Sequence, residues 1–188
     1  MHSLHPELTR AMSEMLDGLD EMLRGCRLED GAVKMHLAGG MAVHYYCGTR
    51  YTEDVDATFS RRLMLPYKKL SVDYLREDGK PASIYLNPNY NDTFAVMHPD
   101  CQEDAVEWEG IGNERRAVKL FVLAPVDLAV SKIARFSPQD RDDIASLGRA
   151  GLVTADALRT RATEALDYYV GDTIWIKRNL DDACASLQ

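Results

Sequence analysis

Residues 33–59 leave this chain few ways to fold. A largely apolar run, 33–38, ends at the glycine pair Gly39-Gly40. Thirteen residues further on, Asp54-Val55-Asp56 sits inside a second strand-like run. Side chains alternate across a strand, so Asp54 and Asp56 are expected on one side with Val55 turned to the core. Two adjacent carboxylates repel each other unless a cation lies between them. An all-oxygen pair of this kind suits Mg²⁺, which is commonly held by one or two carboxylates together with substrate phosphates. Glycines let backbone approach a ligand closely, and the amides of a helix starting there favour an anion. Alone, the glycine pair reads as a turn and the aspartates as a solvated strand face. Together, in a strand–turn–helix–strand setting, they form a phosphate cradle beside a metal clamp.

The rest of the chain supplies the frame. Residues 5–24 carry an apolar stripe, Leu8, Met12, Met15, Leu19 and Met22, that predicts a helix. A short helix is expected over 41–47, stopped by Gly48. Residues 66–77 read as an amphipathic helix closed by Asp78-Gly79, and 83–86, 93–97, 105–108 and 117–123 as strands, with a short helix possible at His98-Pro99-Asp100. Pro125 opens a helix expected to run to Phe136. On it Lys132 shares a face with Leu128 and Phe136. Such a lysine either snorkels outward or is a partly buried ammonium directed at phosphates. Ser137 N-caps the next helix, on which Asp140, Asp143 and Leu147 share a face. Thr154 and Asp172 cap two further helices. The expected domains are 1–124, a core with its N-terminal helix, and 125–188, a helical C-terminal lobe.

With 46% hydrophobic and 28% charged residues, the chain has the composition of an ordinary globular protein with a real core. A net charge of −8 argues against broad nonspecific binding to nucleic acid, although it leaves room for a local basic patch. Four scattered cysteines with no Cys-x-x-Cys read as reduced thiols in a cytoplasmic protein, and no run reaches the length of a membrane span.

The apolar strand, Gly39-Gly40, the spacer and Asp54-x-Asp56 resemble the nucleotidyltransferase superfamily related to DNA polymerase β. Gly-Gly…Arg50-x-Thr52-x-Asp54-Val55-Asp56 is similar to the bacterial branch containing AbiEii-type toxins. Leu128, Ser131-Lys132, Arg135 and Asp140-x-x-Asp143-Ile144 resemble that branch's second half. The resemblance implies an α+β nucleotidyltransferase fold, a small mixed sheet flanked by helices with a C-terminal helical lobe. It implies Mg²⁺ on Asp54 and Asp56, and nucleotide contacts from Gly39, Gly40, Arg50, Thr52, Ser131 and Asp140. Lys132 and Asp143 would complete the catalytic set. The implied activity is transfer of a nucleotide from an NTP to RNA, the 3′ end of tRNA for instance, or to a protein. The implied role is the toxin of a toxin–antitoxin pair with a cognate antitoxin partner. One departure stands out: no clear third carboxylate lies on a strand between Phe59 and Leu120, where Glu107 is a weak substitute; Asp143, further along the chain, is the candidate to do that job instead. A non-catalytic module that binds a nucleotide or partner on the same fold is the alternative.

Overall fold

The computed structural model describes residues 6–48, 52–76, 78–90, 95–108, 110–111 and 115–187, and is α+β. It divides into two compact units, one comprising residues 1–90 and 106–122, the other 91–105 and 123–188.

The first unit is built on strand β1 (Val33–Leu37), which pairs in parallel with β7 (Val118–Val122) and antiparallel with β3 (Ala57–Phe59). Strand β6 (Val106–Glu107) completes a mixed sheet of order β3-β1-β7-β6. Val33, Met35, Leu37, Val118, Leu120 and Val122 form its buried apolar face. A second mixed sheet has the order β2-β5-β4, from β2 (Asp54–Val55), β5 (Pro81–Leu86) and β4 (Ser71–Leu75). Helix α1 (Pro6–Gly25) buries Leu8, Met12, Met15 and Leu19 of the expected stripe, with Leu23 buried at its end where half-buried Met22 was expected, and packs on β4 and β7. Helix α2 (Gly39–Cys47) begins at the glycine pair, two residues earlier than expected, and Gly48 ends it in the left-handed conformation (φ 65°).

The helix expected over 66–77 is not formed. A single 3₁₀ turn, Tyr67–Lys69, leads straight into β4. Within β4, Val72 and Tyr74 point inward at a spacing of two, and all five residues pair antiparallel with β5. Asp78-Gly79, which suggested a helix stop, is instead in the hairpin turn, where Gly79 has φ 76°. Longer hairpin loops commonly carry one residue in the left-handed region, which glycine adopts without steric cost. The strands expected at 83–86, 105–108 and 117–123 correspond to β5, β6 and β7. The one expected at 93–97 lies partly outside the described residues, and 95–97 carry no strand.

The second unit is helical. Helix α3 (Pro125–Val130) is shorter than the 125–136 expected. Ser131 Oγ donates to the Leu128 carbonyl, and the amides of Lys132 and Ile133 bond three residues back, tightening the chain into turns. Phe136 then takes φ 48°. Pro138 bars helical geometry in the residue before it, so the chain restarts at α4 (Pro138–Arg149) with Ser137 and Asp140 as a capping box. Helix α5 (Ala155–Leu166) is capped by Thr154 and buries Leu158, Ala162 and Ala165. Helix α6 (Ile174–Ser186) buries Ile176, Leu180 and Ala183, while Asp172 accepts from the Ile174 amide. No short helix forms at His98–Asp100; residues 99–103 are turns. Arg161 on α5 ties that segment down, with Nε 2.7 Å from buried Asp127 and Nη2 2.6 Å from Asp104. Among the described residues, no helix is long and apolar enough to cross a membrane. Cys47, Cys101 and Cys184 are buried and Cys26 is exposed, and none of the four is in a disulfide.

Arg116 fastens α1 to the start of β7. It is 3% exposed, with Nε 2.8 Å from Asp17 Oδ1, and it donates to the Ser13 carbonyl, the Ser13 hydroxyl and the Ile111 carbonyl. A hydrogen bond to a charged group contributes about 1.5–3 kcal/mol. Arg116→Met keeps the aliphatic stem and loses every donor, so urea unfolding should show a loss of ~3 kcal/mol. An unchanged midpoint would mean that the apolar face of α1 alone holds the helix.

Candidate active site

The glycine turn and the second aspartate are in direct contact. The Ala38 amide donates to the Asp56 carbonyl at 2.8 Å, extending the β1–β3 ladder toward the turn. Gly39 follows with φ +61°, and a Cβ built on it would lie 2.1 Å from Asp56 Oδ2. Left-handed backbone costs other residues roughly 1–2 kcal/mol, and here a methyl group would also displace the carboxylate. Glycine is therefore required twice over. Gly40 is buried in the first turn of α2.

Asp56 stands where the chain leaves one sheet for the other: β2 pairs with β5, and β3 pairs with β1. Asp54 and Asp56 are both half-buried, and Val55 between them is fully buried. Asn87 Nδ2 donates to Asp56 Oδ1 at 2.8 Å, while the Asn87 amide bonds to the Val55 carbonyl. Asp54 faces Tyr85, its register partner on β5, and accepts the phenol's hydrogen bond. That bond, with the charge of Asp54, raises the Tyr85 pKa, because the proton is needed between the two oxygens. Among the described residues, neither aspartate has a lysine or arginine within 4 Å. Thr52 Oγ1 lies 3.4 Å from the Asp54 carbonyl. Arg50 lies outside the described residues.

Lys132, Asp140 and Asp143 form one buried cluster in the second unit. Lys132 is 5% exposed, with Nζ 2.7 Å from Asp143 Oδ2 and 3.7 Å from Asp140 Oδ1. The lysine is thus a buried ammonium and does not snorkel. Asp140 also takes both prongs of Arg135, at 2.8 and 2.7 Å, and the amide and hydroxyl of Ser137. Ser131 spends its hydroxyl on the Leu128 carbonyl.

A family model described as "Nucleotidyltransferase of unknown function (DUF6036)" matches residues 14–180. The chain belongs to this family. No curated protein matches it. Membership in a nucleotidyltransferase family agrees with the superfamily that the Gly-Gly…Asp-x-Asp pattern resembles, and the α+β architecture is consistent with that fold.

Two side chains of this nucleotidyltransferase family member escaped the reading of its sequence. Asn87 opens a turn-rich stretch, Asn87-Pro88-Asn89, and looks like turn chemistry alone; it does serve the turn, accepting from the Asn89 amide. Its hold on Asp56 arises only through the parallel pairing of β2 with β5. Tyr85 reaches Asp54 by the same pairing. The signal available was the end of a strand, where a polar residue following an apolar run often faces a site.

Asp140 carries a pH dependence. Burial pushes its pKa up, but the bonds from Arg135 and Ser137 and the charge of Lys132 outweigh this and bring it down to about 2. A depressed pKa means that the ionised carboxylate stabilises the fold above the unfolded value near 3.8 and ceases to as pH falls through 2. The contribution is ~2 kcal/mol. In urea unfolding, the wild-type chain should exceed Asp140→Asn in stability at pH 5, with the gap closing toward pH 2. A gap independent of pH would refute the assignment.

Proposed function

We propose that the chain is an Mg²⁺-dependent nucleotidyltransferase that moves a nucleotide from an NTP to a hydroxyl of RNA, the 3′ end of tRNA for instance, or of a protein. On the AbiEii-type resemblance, its role is the toxin of a toxin–antitoxin pair acting in the cytoplasm, with a cognate antitoxin as partner. The observation that carries the chemistry is the contact between Gly39 and Asp56, which sets a turn at a helix N-terminus directly against a carboxylate.

The donor set suits the metal. Two oxygen-bearing side chains, with no described lysine or arginine against them, match a cation that takes its other ligands from phosphate and water. Bound by Asp54 and Asp56, Mg²⁺ would offset the negative charge of the triphosphate and of the departing pyrophosphate. Asn87 keeps Asp56 turned to the glycine side, and Tyr85 holds Asp54. The amides at Gly39 and Gly40 receive phosphate oxygens, with Arg50 and Thr52 as further contacts. In the reaction the acceptor oxygen bonds to the α-phosphorus, the bond to the β-phosphate oxygen breaks, pyrophosphate departs and the hydroxyl proton is lost. Lys132 and Asp143 join this reaction on the resemblance alone, Lys132 for phosphate charge and Asp143 for the acceptor proton. Asp140 supports them from the same cluster, and Ser131, whose hydroxyl bonds to the Leu128 carbonyl, is a nucleotide contact on the resemblance alone.

Incubation with each labelled NTP, Mg²⁺ and total cellular RNA or protein tests the activity directly. Label should reach an acceptor with the wild-type chain and fall about a thousandfold with Asp54→Ala or Asp56→Ala, at unchanged far-UV circular dichroism. Full transfer by Asp56→Ala would end this reading. Nucleotide binding without transfer from any NTP would establish the non-catalytic module instead.

The toxin role makes a separate prediction. Expression in bacteria should slow growth with the wild-type chain, and not with Asp54→Ala or Lys132→Ala at equal soluble level. Equal growth in all three cultures refutes toxicity.

A further inference from the structure

The large apolar residues left in water are unevenly spread. Tyr168 (70% exposed), Val170 (97%), Ile174 (60%) and Trp175 (65%) all fall within residues 168–175, where α5 gives way to α6. The other five among the described residues are strung out between residues 64 and 152. Single exposed apolar residues are ordinary, but a contiguous patch of several hundred Å² marks a surface that is covered in use. With the usual burial areas of such side chains, these exposures leave on the order of 450 Å² of apolar surface in water.

The charges around the patch are unspent as well. Asp167 and Asp172 lie in the connection, and Lys177 and Arg178 lie a turn into α6. All four are exposed, and among the described residues none of them is in an ion pair, although Arg159 and Asp181 on the same two helices pair at 2.7 Å. The Arg178 guanidinium lies over the Trp175 ring, 4.8 Å from its centre, which steadies the exposed indole. Read along α6, an acid at 172 and a base at 178 flank Ile174 and Trp175, and residue 175 is the midpoint of the two charges.

We propose that this surface binds a second copy of the chain, with α6 of one protomer antiparallel to α6 of its partner about a two-fold axis at Trp175. The axis sets Asp172 of each copy against Arg178 of the other and lays the apolar side chains over their counterparts. Acid, apolar centre and base in that order match themselves reversed, which is the self-complementarity a two-fold interface requires. A standard interface buries about 800 Å² per partner, with an apolar centre and a polar rim. The patch supplies roughly half of that area as the centre, and the four free charges supply the rim. Against an anionic membrane or a nucleic acid, Asp167 and Asp172 would cancel the attraction of Lys177 and Arg178. The inference concerns the second unit alone and is independent of the reading under Proposed function.

Sedimentation velocity of the full chain between about 1 and 100 µM tests it. The weight-average mass should rise to twice that of one chain. Trp175→Ala should weaken dimerisation about thirtyfold, and Val170→Asp should leave a monomer, both at unchanged far-UV circular dichroism. Asp172→Lys and Arg178→Asp should each be monomeric alone, because like charges then meet twice across the axis. An equimolar mixture of those two variants should dimerise, because both contacts are again between opposite charges. Asp172 also accepts from the Ile174 amide; Val170→Asp lies outside α6 and stays informative if the change at 172 loosens the start of that helix. A wild-type chain still monomeric at about 100 µM, undiminished dimerisation of Trp175→Ala, or a mixture that stays monomeric would each overturn the proposal, the first leaving the patch to a partner of another class.

Discussion

The first unit depends on the closeness of one backbone turn to one carboxylate. Strand β1 runs into Gly39, the Ala38 amide holds the carbonyl of Asp56, and the Asp56 side chain fills the space where any other residue at 39 would put its Cβ. From that contact follow the start of α2, the side of the turn on which Asp56 lies and the crossing of the chain between two sheets. Asn87 secures the arrangement from the neighbouring strand. Had the turn been built with a side chain, the carboxylate would have been driven off the helix N-terminus.

The second unit is organised by buried charge. Lys132 with Asp140 and Asp143, and Arg161 with Asp127, place ionised groups where water is largely excluded. Desolvating such groups costs several kcal/mol per ion, and only close geometry with further hydrogen bonds recovers it. Apolar residues of similar volume could fill the same space at no such cost. Arg161 has an evident structural use, since it draws Asp104 and its segment onto helix α5. The Lys132 cluster is joined to the capping of α4 through Asp140, so one carboxylate serves both the helix start and the ion pair.

Much of this was legible in the sequence because certain residue types have narrow uses. A glycine pair after an apolar strand, a serine before Pro138 and a methionine–leucine stripe each admit few structures, and they mark α2, α4 and α1. Strand β4 was not legible, because the apolar residues Tyr67, Leu70, Val72 and Leu75 lie near one face of a helix drawn over 66–77, whereas the first of them sits in a 3₁₀ turn and the second caps it. That coincidence was enough to hide a period of two. The division of the Asp-x-Asp run between sheets was equally hidden, since strands of two and three residues are too short to carry a pattern. Lys132 was open to two readings because both depend on what packs over α3 and α4, which spacing along one helix does not contain. Asn87 and Tyr85 met the aspartates through a pairing between strands some thirty residues apart.

The crossing at Asp56 also makes the aspartate pair a gauge. Asp54 is pinned to the β2-β5-β4 sheet, whereas the next residues after Asp56 are pinned to β1. The separation of the two carboxylates is therefore set by how one sheet is turned against the other, and not by a single strand's pleat. A substitution in the β4–β5 hairpin would change the bite of the pair. On the proposed metal role, selectivity between a small cation such as Mg²⁺ and a larger one such as Ca²⁺, which turns on fractions of an ångström, would then be inherited from the twist of the fold.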